Sequence, residues 1–132
     1  MKSMRLVLAV ALFAVAACAT NAGVWNDSYA NMDQKLLRAE IEKSLRADSW
    51  TTLDEDGALV AEKADGGGHK TAAIFSFADA GKGSSYEMLG KSGHNVNWLT
   101  FGILGAAMKH KTIYACTHFI ENFQHDHPHN TK

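Results

Sequence analysis

Trp50-Thr51-Thr52-Leu53-Asp54-Glu55-Asp56-Gly57-Ala58-Leu59-Val60-Ala61-Glu62-Lys63-Ala64 is the stretch on which the fold turns. Thr51 and Thr52 are β-branched and suit extended backbone. Asp56-Gly57 is the pair that most strongly signals a tight hairpin turn. Beyond it, Leu59 and Ala61 alternate with Val60 and Glu62, the period of a strand with two unlike faces. Asp54, Glu55 and Asp56 could suggest calcium, but a calcium loop spreads its oxygen ligands along about twelve residues. Those ligands do not follow here, so the acids read as a solvated turn.

Two more strands are expected downstream. Asp65-Gly66-Gly67-Gly68 turns the chain; it has no Walker lysine-serine pair and no following helix, so it is not a phosphate loop. Residues 70–77 form the most apolar strand, with Ile74, Phe75 and Phe77, and should be central. Residues 79–83 turn again. Residues 84–90 follow, with Tyr86 and Met88 on one face and Glu87 on the other.

Helices should flank the strands. Asn31 opens the first, with Gln34 at capping-box spacing. Leu37, Ile41 and Leu45 then form one apolar face, and the helix stops near Asp48. The last helix runs from about Lys109 or Lys111 to Gln124, with Ile113, Cys116, Ile120 and Phe123 on its stripe. Two one-faced helices must cover an apolar sheet face. The expected fold class is α+β: a two-layer sandwich, a four-stranded antiparallel meander with N- and C-terminal helices on one face, in the order α-β-β-β-β-α.

The start of the chain reads as an export signal. Lys2 and Arg5 precede an unbroken apolar run over residues 6–17, twelve residues long. A membrane-spanning helix needs about 20, and a short run on a basic start is a targeting segment. Val15-Ala16-Ala17-Cys18 resembles the bacterial lipobox, in which the cysteine becomes the acylated first residue of the mature protein. Stable anchoring takes two acyl chains or more. The organisation expected is a signal peptide over 1–17, a lipidated tether over 18–28, one α+β domain over 29–125 and a polar, histidine-rich tail over 126–132. Ala19 is not aspartate, which in this resemblance points to the periplasmic face of the outer membrane. An ordinary signal cleaved after Ala17, Ala19 or Ala22, with a soluble periplasmic product, is the alternative. Trp25 and Tyr29 interrupt the tether and should pack back onto the domain, the alternative being a place at the lipid headgroup level.

Composition narrows the function. Without Lys2 and Arg5, eleven basic residues face fourteen acidic ones, a formal charge of −3. No basic field exists to hold a nucleic-acid backbone. With Cys18 acylated, Cys116 has no intramolecular partner, so the fold is not built on disulfides.

Catalytic groups are weighed next. Ser84, Ser85 or Ser92 with His94, and Cys116 with His118, are the possible nucleophile–base pairs. No G-x-S-x-G elbow is present. Cys116 and His118 diverge on a helix, and Cys116 lies on the apolar stripe. Glu40 and Glu42 also diverge. No enzyme activity and no cofactor are expected. His125, His127 and His129 alternate in the tail and are the candidates for a zinc, nickel or copper site; His110 and His118 read as helix surface. Residues 98–108, from Trp98 through Phe101 and Ile103 to Met108, carry almost no charge. They are too few to span a bilayer and are open to three readings: buried loop, short helix or exposed apolar patch. As a patch, Trp98, Phe101 and Ile103 would be a protein contact.

The pattern resembles a family of small, uncharacterised Gram-negative lipoproteins. Ile41, Leu45 and Trp50, then Gly57 and His69, then Ser92 and Asn95, then Phe119-Ile120-Glu121-Asn122-Phe123 carry the resemblance, loosely over residues 37–123. Phe119 stands where that family typically has tryptophan. The resemblance implies location and fold and brings no activity. The expected function is a non-enzymatic envelope accessory or adaptor lipoprotein anchored through Cys18, meeting an envelope protein partner. The alternative is a histidine-rich metal-binding or metal-buffering periplasmic protein.

Overall fold

A computed structural model describes residues 20–64, 69–94 and 101–129, and for 20, 94 and 101–108 the backbone alone. The order is β1 (Thr20–Tyr29), α1 (Gln34–Ala47), β2 (Thr51–Glu55), β3 (Ala58–Ala64), β4 (His69–Ala80), β5 (Gly83–His94) and α2 (Phe101–Asp126). The strands form one sheet in the order β1-β5-β4-β3-β2, with every neighbouring pair antiparallel.

The sheet therefore has five strands, and the expected four-stranded α-β-β-β-β-α arrangement is corrected to β-α-β-β-β-β-α. The residues read as a tether, 18–28, fall largely within β1. It pairs with β5 from Thr20↔Ser92 to Tyr29↔Ser84. Trp25 and Tyr29 do pack on the domain, as inward residues of this strand. The chain reaches α1 only after β1, and α1 then crosses from one sheet edge to the other.

The hairpin expected around Asp56-Gly57 is present. Both residues take positive φ, 51° and 90°, which the two-residue turn between β2 and β3 demands. β4 lies at the centre of the sheet, as its apolar content suggested. Its side chains divide by the strand period: Phe75 is fully buried, whereas Ile74 faces the other side.

Helix α1 is capped by Asp33, not Asn31; its carboxylate accepts from Leu36 N at 2.8 Å. The helix buries Leu37, Ile41 and Leu45. At its C-terminus, Trp50 N donates to Leu45 O at 2.9 Å and Ser49 N to Arg46 O at 3.1 Å. Those two bonds are a Schellman closure, with Ser49 in the left-handed region at φ 68° where glycine is the usual choice. Helix α2 is already formed at Phe101, earlier than Lys109 or Lys111. Its buried face is Thr112, Cys116, Phe119, Ile120 and Phe123, with Ile113 only half-buried.

Both helices cover the same sheet face. Leu59, Ala61, Ala73, Phe75, Tyr86 and Met88 meet Leu37, Ile41, Leu45, Cys116, Phe119 and Phe123 in one core. Phe119 and Phe123 are the aromatic hinges of that core: Phe119 stands edge-on to Phe75 and Trp50, and Phe123 edge-on to Tyr29 and Tyr86.

Candidate functional site

Four polar side chains lie buried where α2 meets the sheet. His69 opens β4, Thr71 follows it on the same face, Ser92 sits on β5, and Thr112 is on α2. The register sets Thr71 directly across from Ser92. His69 Nε2 is 3.1 Å from Ser92 Oγ and 3.2 Å from Thr112 Oγ1, and Thr112 Oγ1 is 3.0 Å from Thr71 Oγ1. The four are 1–7 % exposed or fully covered. Burial of unpaired hydroxyls would be costly, so they satisfy one another.

This brings Ser92 to a histidine, His69; the side chain of His94, the expected partner, lies outside the described residues. A serine beside an imidazole is the start of a nucleophile–base pair. Here the same Nε2 is shared with Thr112, and all four side chains are buried. What the arrangement does chemically is pin α2 to the sheet by a polar clasp in an otherwise apolar interface.

Cys116 cannot serve as a nucleophile near neutral pH. It is fully buried against Gly90 and the Trp25 ring, and burial pushes its thiol up to about 12. His118 is exposed on another side of α2, stacked on Tyr114 with centroids 5.7 Å apart. His110 is exposed as well. Ser84 is buried and donates to Met32 O at 2.7 Å, which fastens the loop after β1.

Residues 125–129, the described part of the expected histidine tail, form a strap. His125 belongs to the last turn of α2 and is exposed. His127 Nε2 lies 2.9 Å from Glu40 Oε1 on α1, with its ring stacked on Phe123. His129 Nε2 lies 2.6 Å from Asp27 Oδ2 on β1, with its ring stacked on Tyr29. Gln124 donates to the same Asp27 oxygen at 2.8 Å. The three imidazoles are thus directed to three different places. Among the described residues, no three His, Cys, Asp or Glu side chains are grouped so as to hold a metal ion.

Beneath the strap stand Tyr29 and Tyr86, both buried, with no hydrogen-bond partner for either hydroxyl among the described residues. Burial, with the charge of Asp27 adding to it, pushes Tyr29 up to about 12 and Tyr86 higher still. Neither ionises in ordinary conditions.

The sheet's other face carries an apolar row. Val24, Leu89, Ile74, Val60 and Leu53 are successive cross-strand partners, one from each strand. Val24 and Leu53 at the two edges are 54 % and 55 % exposed, and the three between them are half-buried. The next row, Asn21, Lys91, Ala72, Glu62 and Thr51, is mostly polar, and so is Asn26, Glu87 and Ser76 on the other side. An apolar stripe with a polar border is the composition of a contact surface. Sequence reading grouped Ile74 with Phe75 and Phe77 in one apolar strand and left this row unseen.

Cys18 and Trp98 lie outside the described residues. Phe101 and Ile103 are in the first turn of α2. No helix among the described residues is long and apolar enough to cross a membrane. No protein-family model matches the chain, and no curated protein does.

Proposed function

We propose that this chain is a non-enzymatic accessory protein of a bacterial envelope, held at the periplasmic face of the outer membrane by an acylated Cys18. Its open sheet face, with the Val24-to-Leu53 row, is the adaptor surface for a partner protein bearing a matching apolar stripe. One observation carries the reading: β1 is already formed at Thr20, two residues after Cys18. The domain would start at the anchor itself, within about 7 Å of it along extended chain. The buried thiol of Cys116 and the sealed His69–Ser92 contact support the non-enzymatic part. The metal-handling reading has less support, because His127 and His129 each face a carboxylate of the fold.

Substitution Cys18→Ala, followed by membrane fractionation, tests the anchor. The expected result is uncleaved precursor or a soluble domain; unchanged recovery of a mature chain in the membrane fraction overturns it. Val24→Asp with Leu53→Asp tests the face, since both positions are more than half exposed and cost little stability. Crosslinked partners in the native envelope should be lost with unchanged thermal unfolding. Unchanged crosslinks overturn the assignment of that face.

A further inference from the structure

Val24, Leu89, Ile74, Val60 and Leu53 cross the open sheet face from edge to edge, one residue from each strand. The charges beside this row are placed unevenly. On one side, two residues along the strands, stand Lys91 on β5 and Glu62 on β3, both cross-strand partners of Ala72. On the other side stand Glu87 on β5 and Glu55 on β2, the partners of Ser76 and Ala58. Strand β5 thus carries a cation and an anion at equal distances from the row, with Leu89 between them. None of these side chains is buried.

A two-fold axis laid along the row sets this face against a second copy of itself. Packed sheets lie about 10 Å apart with their strands within about 30° of each other. Each strand then lies over its own copy, running the other way. Residues of the row meet their own copies, and residues on one side of it meet those on the other. Lys91 faces the second copy's Glu87, and Glu87 faces the second copy's Lys91. Glu62 faces Ala58, Glu55 faces Thr51, and Lys70, one row further out, faces Ala78. Among the described residues of the face, no two like charges are opposed. The other axis in the plane of the face, along β4, places Lys70 against its own copy, which like charge disfavours.

We infer that the open sheet face joins two copies of this chain in a symmetric dimer, with the apolar row on the axis and a Lys91–Glu87 pair on either side of it. Five strands about 4.8 Å apart and three rows about 6.8 Å apart give a footprint of roughly 500 Å² per copy. The two copies together bury about 1,000 Å², the lower bound of a specific interface, so the dimer is of micromolar strength. The row supplies the apolar contact, and the charge pairs set the register and the direction of the strands. The inference rests on the reading of this face as a contact surface and names its partner. It suits an anchored chain as well. The axis leaves the sheet through β1, so both copies turn the strand that follows Cys18 to the same side.

The test uses the unacylated chain from Ala19 onward. That chain folds alone, because the core is built from residues 25–123 and all seven elements lie within Thr20–Asp126. Sedimentation is measured over roughly 1–200 μM, the range that suits so small an interface. The natural chain should pass from monomer to dimer. Glu87→Lys alone and Lys91→Glu alone should each weaken the dimer at least tenfold, since like charges then face each other. An equimolar mixture of the two variants should pair again, because each cation of the first chain meets an anion of the second. A variant that pairs in the mixture is folded. Lys35→Glu, on α1 at the covered face, should leave the dimer unchanged. A natural chain that stays monomeric, a Glu87→Lys chain that dimerises fully, or a mixture that pairs no better than its components overturns the inference. The contact-surface reading fails separately. A monomeric chain whose envelope crosslinks vanish with Val24→Asp/Leu53→Asp removes only the second copy as partner; one whose crosslinks persist removes both.

Discussion

Gly83→Ala should be the most damaging single-methyl change in the sheet. Gly83 opens β5, and the end of β1 crosses directly over it. A Cβ placed there would lie 1.9 Å from Tyr29 O and 2.8 Å from Ala30 C and Cα. These are backbone atoms, which cannot rotate aside, so the β1–β5 pairing must open near Tyr29↔Ser84. Overpacking in a closed site costs about 1–3 kcal/mol. Partial withdrawal of the buried Tyr29 ring adds about 1 kcal/mol, a fraction of the ~1.5–3 kcal/mol for a large side chain. The sum is about 3 kcal/mol, a large share of the ~5–15 kcal/mol that holds a domain folded. Urea unfolding followed by tryptophan fluorescence reads this directly, and the thermal midpoint should fall by roughly 10 °C or more. The control is Gly57→Ala. Its φ of 90° brings backbone strain, but nothing lies within 4 Å of the added Cβ, so about 1 kcal/mol is expected. Equal stability of Gly83→Ala and the natural chain would refute the close crossing of β1, and with it the five-stranded sheet.

Ser49→Gly should stabilise the domain by about 0.5–1 kcal/mol in chemical denaturation, because glycine takes the left-handed φ without the Cβ penalty. Thr112→Val should cost about 1–3 kcal/mol by leaving Thr71 Oγ1 buried without its partner; Thr71→Val added to it should recover part of the loss. Stability should fall as pH rises from 9, where the unfolded thiol of Cys116 begins to lose its proton, toward 12, where the folded thiol does. The sign follows from the raised folded pKa: the stabilisation is complete below the unfolded value and gone above the folded one. Cys116→Ala should flatten the urea midpoint across that window, leaving the decline that Tyr29 and Tyr86 contribute above pH 10.

The parts of the fold that sequence makes legible are those built from local periodicity. The Leu37, Ile41 and Leu45 spacing and the Asp56-Gly57 turn are each contained in a few residues, and the structure places both as read. Strand β1 escapes such a reading for physical reasons. Its inward residues are Gly23, Trp25, Asp27 and Tyr29, only two of them apolar. Gly23 is small because the Trp25 ring lies on it, and Asp27 is polar because Gln124 and His129 bond it. The even spacing of Trp25 and Tyr29 was the available signal. The start of α2 was hidden because residues 101–108 lack charges, and without them a helix shows no polar face. The His69–Ser92–Thr112 clasp and the His127–Glu40 and His129–Asp27 pairs join residues 20 to more than 100 positions apart, which only the topology brings together.

The most direct measurement is intact-mass spectrometry of the protein extracted from its own membrane. The account predicts a mature chain that begins at Cys18 and carries the added mass of its acyl chains. A soluble chain beginning at Ala19, Thr20 or Gly23, with no added mass, would contradict it.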